Sequence, residues 1–178
     1  MDEFHTKFHL QTNSFIKHHK PVVLALNELF KYSFEKKQKI IIVNTSDRNE
    51  IEGPGKIEHW ILFFWNYNKQ CIFYDSYGLH PVIYIGPQLI NKIINQDFSY
   101  NSIRVQNEKS DKCGYFVLYT ASTLCRGLTM EESRVRFDEN DSRNRNDAIV
   151  LSLFQKEFFY LEPLIPKKLL PQCKNHPQ

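Results

Sequence analysis

Most apolar positions along this chain recur with the period of a strand or of a helix face, but one stretch has no polar face at all. From Tyr115 to Leu124 every residue is apolar, aromatic or a small hydroxyl residue, and none is charged. A helix apolar all round belongs in the middle of a domain. At about 1.5 Å per residue it is too short to cross a bilayer, which needs roughly 20 apolar residues. A polar loop, Asn107 to Lys112, leads into it across the junction Cys113-Gly114. Ser110 and Asp111 are the expected N-caps.

The other elements follow from shorter patterns. Lys39–Thr45 (KIIIVNT) reads as a buried strand. His59–Trp65 (HWILFFW) and Cys71–Asp75 (CIFYD), joined by Asn66 to Gln70, read as a hairpin. Pro21 opens a predicted helix, PVVLALNELFKYSFEKK, with an apolar stripe at Val22, Leu26, Leu29, Phe30 and Phe34. Its basic end, Lys36, Lys37 and Lys39, complements the helix dipole. Ser46 to Lys56 is a polar loop with a Gly53-Pro54-Gly55 turn signal, and Ser76 to Pro87 is a second loop. Gln88 to Phe98 is expected as a short helix, and Ile103 and Val105 as a short strand ending at Gln106. Thr129-Met130-Glu131-Glu132 has capping-box spacing and starts another helix. Residues 138–147 form a polar connector before a last amphipathic helix, Ala148 to Phe159. Residues 1–20 are a polar lead segment, expected to be solvated, and 162–178 a proline-rich tail. The irregular alternation gives an α+β class: one domain over 1–178, a small mixed sheet packed with the Cys113 helix.

Composition narrows the setting. Hydrophobic residues at 42% and aromatics at 14% suit a globular chain rather than a disordered one. The net charge of +3 permits an acidic partner without requiring one. Arg126, Arg134, Arg136, Arg143 and Arg145 could form a basic surface, but a solvated face is the better reading of them. Cys71, Cys113, Cys125 and Cys173 show neither CxxC nor zinc spacing, so a reducing compartment is expected. His5 and His9 would share a helix face, but no Glu or Asp completes a metal site there. No metal, cofactor, signal peptide or membrane span is expected.

Candidate chemistry sits at element ends. His59 begins one hairpin strand and Asp75 ends the next, so antiparallel pairing brings imidazole and carboxylate to one sheet edge. Cys113 falls in the first turn of the buried helix, where unpaired N–H groups favour a thiolate. Gly114 beside it lets another backbone or a substrate come close. The order His59, Asp75, Gln106, Cys113 supplies a base, an orienting acid, an oxyanion donor and a nucleophile. Papain-type enzymes place the cysteine before the histidine, and this order excludes them.

The chain resembles the adenovirus-type cysteine proteases, the adenains, which are related to SUMO and ubiquitin-like proteases. The matching residues are Val43-Asn44-Thr45, His59-Trp60, Trp65-Asn66, Tyr74-Asp75-Ser76-Tyr77-Gly78, and Gln106 ahead of Lys112-Cys113-Gly114. They cover roughly residues 38–160. The resemblance implies an adenain-like, papain-related fold with His59 as general base, Asp75 as its partner, Cys113 as nucleophile and Gln106 in the oxyanion hole. It places Trp60 against His59 and makes Trp60 and Gly114 candidate substrate contacts. It implies a monomeric viral or virus-like endopeptidase, of the virophage and Maverick/Polinton kind, that matures capsid precursors at glycine-containing sites. Host cytoplasm, nucleus or virion would be its location. DNA or a peptide would be its candidate activators, but no cysteine lies between Cys71 and Cys113 for the adenain-type activating disulfide. A ubiquitin-like deconjugase, an acetyltransferase effector and an inactive capsid- or nucleic-acid-binding module are the alternatives on the same fold.

Overall fold

In a computed structural model, which describes residues 3–33, 40–47, 59–93, 98–139 and 145–158, five strands form one sheet. They are β1 (Val22–Ala25), β2 (Ile40–Asn44), β3 (Trp60–Trp65), β4 (Cys71–Tyr74) and β5 (Phe98–Tyr100), side by side in chain order. β2, β3 and β4 are antiparallel, while β1 and β5 join the two edges in parallel. The class is α+β with a mixed sheet. The helices are α1 (Glu3–Thr12), α2 (Leu26–Leu29), α3 (Val82–Ile93), α4 (Cys113–Cys125), α5 (Met130–Arg134) and α6 (Arg145–Phe158).

The continuous apolar runs of β2 and β3 arise because both faces of the sheet are covered. Ile40, Ile42, Trp60, Leu62 and Phe64 face α4 and share one core with its Phe116 and Val117. Their neighbours Ile41, Val43, Ile61 and Phe63 face the other way, onto Leu29 of α2 and Ile85, Leu89 and Ile90 of α3. Period-2 alternation thus separates two apolar layers rather than core from water. In α4 every residue except Tyr115 and Cys125 is buried. α1 and α6 close its far side, with Leu10, Phe154 and Phe158 in the same core.

Several expectations change. Pro21 opens strand β1 rather than a helix, and among the described residues of that stretch only Leu26–Leu29 is helical; the strand aligns in parallel beside β2, Val22 opposite Ile41. Sheet pairing of Val22 and Val23 overrides the helical stripe, as β-branched residues permit. The lead segment is not a solvated arm. It folds into α1 and a 3₁₀ turn, with Leu10 and Ile16 buried and the Asn13 carboxamide oxygen accepting from Phe15 and Ile16 N–H at 2.9 and 3.1 Å. His9 packs edge-on against Phe154 and Phe158. No cluster of three metal-ligating side chains exists among the described residues. The expected helix from Gln88 begins earlier, at Val82, in a segment interrupted by Gly86 at φ +63 and resumed by Pro87. Residues 103–105 are not a strand, whereas Phe98–Tyr100 is. α4 starts at Cys113 with Lys112 at its N-cap and no side-chain cap. Ser110 instead accepts the Lys112 N–H through Oγ at 3.1 Å. The capping box at Thr129 is present, with Glu132 N–H to Thr129 Oγ1 at 3.1 Å and Thr129 N–H to Glu132 Oε2 at 2.7 Å. The last helix begins at Arg145, inside the expected connector, and buried Asn146 bonds the Val105 carbonyl at 2.7 Å. Lys36, Lys37 and Lys39, the 53–55 turn, Cys173 and the 162–178 tail lie outside the described residues.

Two glycines test the backbone geometry. Gly78 has φ +73, and a Cβ there would lie 2.8 Å from Arg104 N and Ile103 C. Gly127 has φ +86 but open space around it. Gly127→Ala is expected to cost only left-handed strain, about 1–2 kcal/mol. Gly78→Ala should cost clearly more, because backbone atoms block the methyl group; urea denaturation of the two variants checks the order.

His9 gives a pH prediction. Burial, with a smaller push from His5, lowers its pKa from 6.5 to about 4. The unfolded chain therefore binds the proton first, and this contribution to stability is lost as pH falls from 6.5 toward about 4. Removing the titration with His9→Gln should flatten that part of the urea-midpoint profile relative to the wild type.

Candidate active site

Antiparallel pairing of β3 and β4, with Leu62 opposite Tyr74, sets the residue before β3 beside the residues after β4. His59 and Asp75 meet there. His59 Nε2 lies 2.7 Å from Asp75 Oδ1, and both residues are buried, His59 at 8% exposure and Asp75 at 0%. Cys113, the first residue of α4, acts on the same imidazole and, with Asp75, favours its charged form.

The Asp75 carboxylate is held on both oxygens. Oδ1 also accepts the Tyr77 N–H at 3.0 Å, while Oδ2 accepts the Leu79 N–H and the Tyr84 hydroxyl, each at 3.0 Å. The loop after β4 thus wraps its own acid, a use of Asp that turns favour. Two tyrosines cover the imidazole. Tyr77 stacks at 4.7 Å and Tyr84 at 5.7 Å, both within 30° of parallel. Burial first, then the Asp75 charge, pushes the Tyr84 phenol well above its ordinary pKa, so it stays protonated as a donor. Burial likewise raises Tyr77, aided by nearby Cys113 and Asp75. For His59, burial works against the charged ring, but the hydrogen bonds and charges of Asp75 and Cys113 outweigh it and raise the pKa to about 9.

Gln106 reaches the same corner from the loop before α4. It is fully buried. Its Oε1 accepts from the Ser76 hydroxyl, and its Nε2 donates to the Ser110 carbonyl at 2.8 Å, with a longer contact to Ser110 Oγ at 3.3 Å. The Ser110 carbonyl also takes the Tyr77 hydroxyl at 3.4 Å. His59 and Asp75 are therefore joined by a buried hydrogen bond, Cys113 influences the same imidazole, and Ser76 joins Gln106 to the loop that follows the acid. Gly114 is buried in the first turn of α4. Trp60, at 1% exposure, is a core residue on the α4 face of the sheet.

Chemically, this arrangement can move a proton from the thiol to the imidazole and hold the resulting cation against a buried carboxylate. Tyr84 was missed in the sequence because it lies nine residues beyond Asp75, across a Pro- and Gly-containing loop, with no periodicity linking the two. Ser76 and Tyr77 belonged to a recognised motif but carried no assigned role. Of the suggested basic surface, Arg126 lies 5.6 Å above the Phe15 ring and Arg145 is 3.9 Å from Asp138, while Arg143 is outside the described residues. No described helix is long and apolar enough to cross a membrane.

No family model matches the sequence, and no curated protein matches it. Solved structures are similar at low identity. A crystal structure of an ASFV protease is 12% identical with a TM-score of 0.46, over 85% of this chain and 65% of that one. A selenomethionine crystal structure of the ASFV protease is 15% identical with a TM-score of 0.39, over 71% of this chain and 46% of that one. The effector protein RickCE of Rickettsia bellii is 19% identical with a TM-score of 0.39, over 79% and 52%. This chain thus spans between about half and two-thirds of the length of these proteins. At such scores the chemistry of the site stands on its own geometry.

An NMR titration of His59 is expected to have its midpoint near 9. Asp75→Asn removes the charge that most supports the imidazolium and should move the midpoint down. An unchanged midpoint would mean that the pair is not coupled.

Proposed function

We infer that this chain is a cysteine peptidase. The observation that carries the reading is the imidazole of His59, hydrogen-bonded to the fully buried Asp75 carboxylate and raised in pKa by that carboxylate and by Cys113, the first residue of α4. In the proposed cycle His59 takes the Cys113 proton, and the thiolate attacks the substrate carbonyl carbon. The oxyanion is stabilised by the Cys113 backbone N–H and the Gln106 side-chain amide. The 3.3 Å contact from Gln106 Nε2 to Ser110 Oγ is the weak one that an oxyanion would replace. The His59 imidazolium then protonates the leaving amine. Water, deprotonated by the same ring, hydrolyses the thioester and returns the thiol. Asp75 orients the ring and stabilises its cation without taking the proton.

The motif resemblance supports a finer reading: an endopeptidase that processes precursor polypeptides, capsid precursors of a virus or virus-like element foremost, at glycine-containing sites. Trp60 and Gly114, the two suggested substrate contacts, are both buried. Deconjugation of ubiquitin-like proteins uses the same chemistry, and DNA or a peptide could activate either. Incubation with co-expressed capsid precursor and with a fluorogenic ubiquitin-like C-terminus, each with and without DNA, separates these outcomes.

Cys113→Ala and His59→Ala should each remove peptide hydrolysis, by roughly 10⁶ for groups that act as a unit. Asp75→Asn should lose less. Gln106→Ala should lower kcat by roughly 10²–10³ with little change in KM. His59→Ala should also slow alkylation of Cys113 by iodoacetamide near neutral pH, because the thiol loses the base that takes its proton. Full activity in Cys113→Ala, or alkylation profiles that coincide with and without His59, would sink the reading.

A further inference from the structure

Gln106 can meet a developing oxyanion only through its nitrogen, because the oxygen end of the amide would repel it. The two ends have nearly the same shape, so packing alone does not choose between them; hydrogen bonding does. Ser76 is fully buried and grips Gln106 from two directions. Its carbonyl accepts the Val105 and Gln106 backbone N–H groups at 2.9 and 3.0 Å. Its hydroxyl donates to Gln106 Oε1. At the other end of the amide stands the Ser110 carbonyl, which can only accept and so requires nitrogen.

We propose that Ser76 is the positioning residue of the oxyanion donor: its hydroxyl holds Gln106 Oε1, so that Nε2 faces the Cys113 side. The proposal rests on the peptidase reading and deepens it. Ser76 directly follows Asp75, and Gly78 lets the same loop press against the backbone at 102–104. One five-residue loop, 75–79, thereby supports the acid behind His59 and sets the amide that receives the negative charge. With an apolar residue at 76, Oε1 would lose its buried donor. The amide would then be held only at its nitrogen end, by the Ser110 carbonyl, and would lose the fixed orientation that sets Nε2 for the substrate.

The test uses the whole chain and the peptide that it hydrolyses best in a fluorogenic library. Ser76→Ala is expected to lower kcat by about 10- to 100-fold, less than outright loss of the donor, with KM nearly unchanged. In a Gln106→Ala background the same change should add no further loss, because Ser76 acts through Gln106. Ser76→Thr, which keeps the hydroxyl, should recover most of the rate. Iodoacetamide alkylation of Cys113 should be the same in Ser76→Ala as in the wild type, since displacement at a CH₂ carbon forms no oxyanion. Should Ser76→Ala not fold, Ser76→Cys, of similar size but a weak donor, is expected to shift kcat in the same direction. An unchanged kcat, a loss carried by KM, a loss that multiplies with Gln106→Ala, or slowed alkylation overturns the Ser76 role while an active wild type leaves the peptidase reading in place. A wild type that hydrolyses no peptide overturns both.

Discussion

The interaction on which the structure depends is the burial of the Asp75 carboxylate. A charge removed from water costs several kcal/mol unless partners replace the lost hydration. Asp75 is fully buried, and its replacement partners are His59, the Tyr77 and Leu79 N–H groups and the Tyr84 hydroxyl. Those partners come from the residue before β3, from the loop after β4 and from α3. Satisfying one carboxylate therefore fixes the hairpin end, curls the loop and docks the start of α3. The positive φ of Gly78 belongs to the same constraint, since the curled loop must pass close to the backbone of 103 and 104.

The second fixed point is α4. A helix buried on nearly every side cannot shift without disturbing the sheet, α1 and α6 together. Cys113 is its first residue, so the thiol inherits the rigidity of the whole core rather than that of a loop. Asn146 adds a tie from α6 to the Val105 carbonyl, one residue before Gln106. Reactive groups held on packed elements keep their geometry better than groups on free loops.

Between these two fixed points lies the imidazole of His59. Tyr77 and Tyr84 cover it, and that cover keeps water from screening its attraction to Asp75. Burial alone would favour a neutral ring; the carboxylate and the cysteine reverse that preference. The Tyr77 hydroxyl reaches the same Ser110 carbonyl that anchors Gln106, so the cover over the base and the support of the oxyanion donor share an atom.

What was legible in the sequence was what short-range pattern encodes. The unbroken apolar run of α4, the β3–β4 hairpin and the Thr129 capping box all have local signatures and appear where expected. His59, Asp75 and Cys113 could be singled out because they stand at the ends of those elements. Other features needed partners distant in sequence. Val22 and Val23 become a strand because β2 offers an open edge, and the lead segment becomes α1 because α4 and α6 leave an apolar face for Leu10 to cover. The roles of Tyr84, Ser76 and Asn146 are hydrogen bonds across 9, 30 and 41 residues of chain. The sequence by itself determined the central helix, the hairpin and the residue types at their ends, because these depend on the order of neighbouring residues. Only the tertiary structure decided which tyrosines cover the imidazole, which serine holds the glutamine and which helix closes the core, because a buried polar group is satisfied by whatever donor the fold brings within reach.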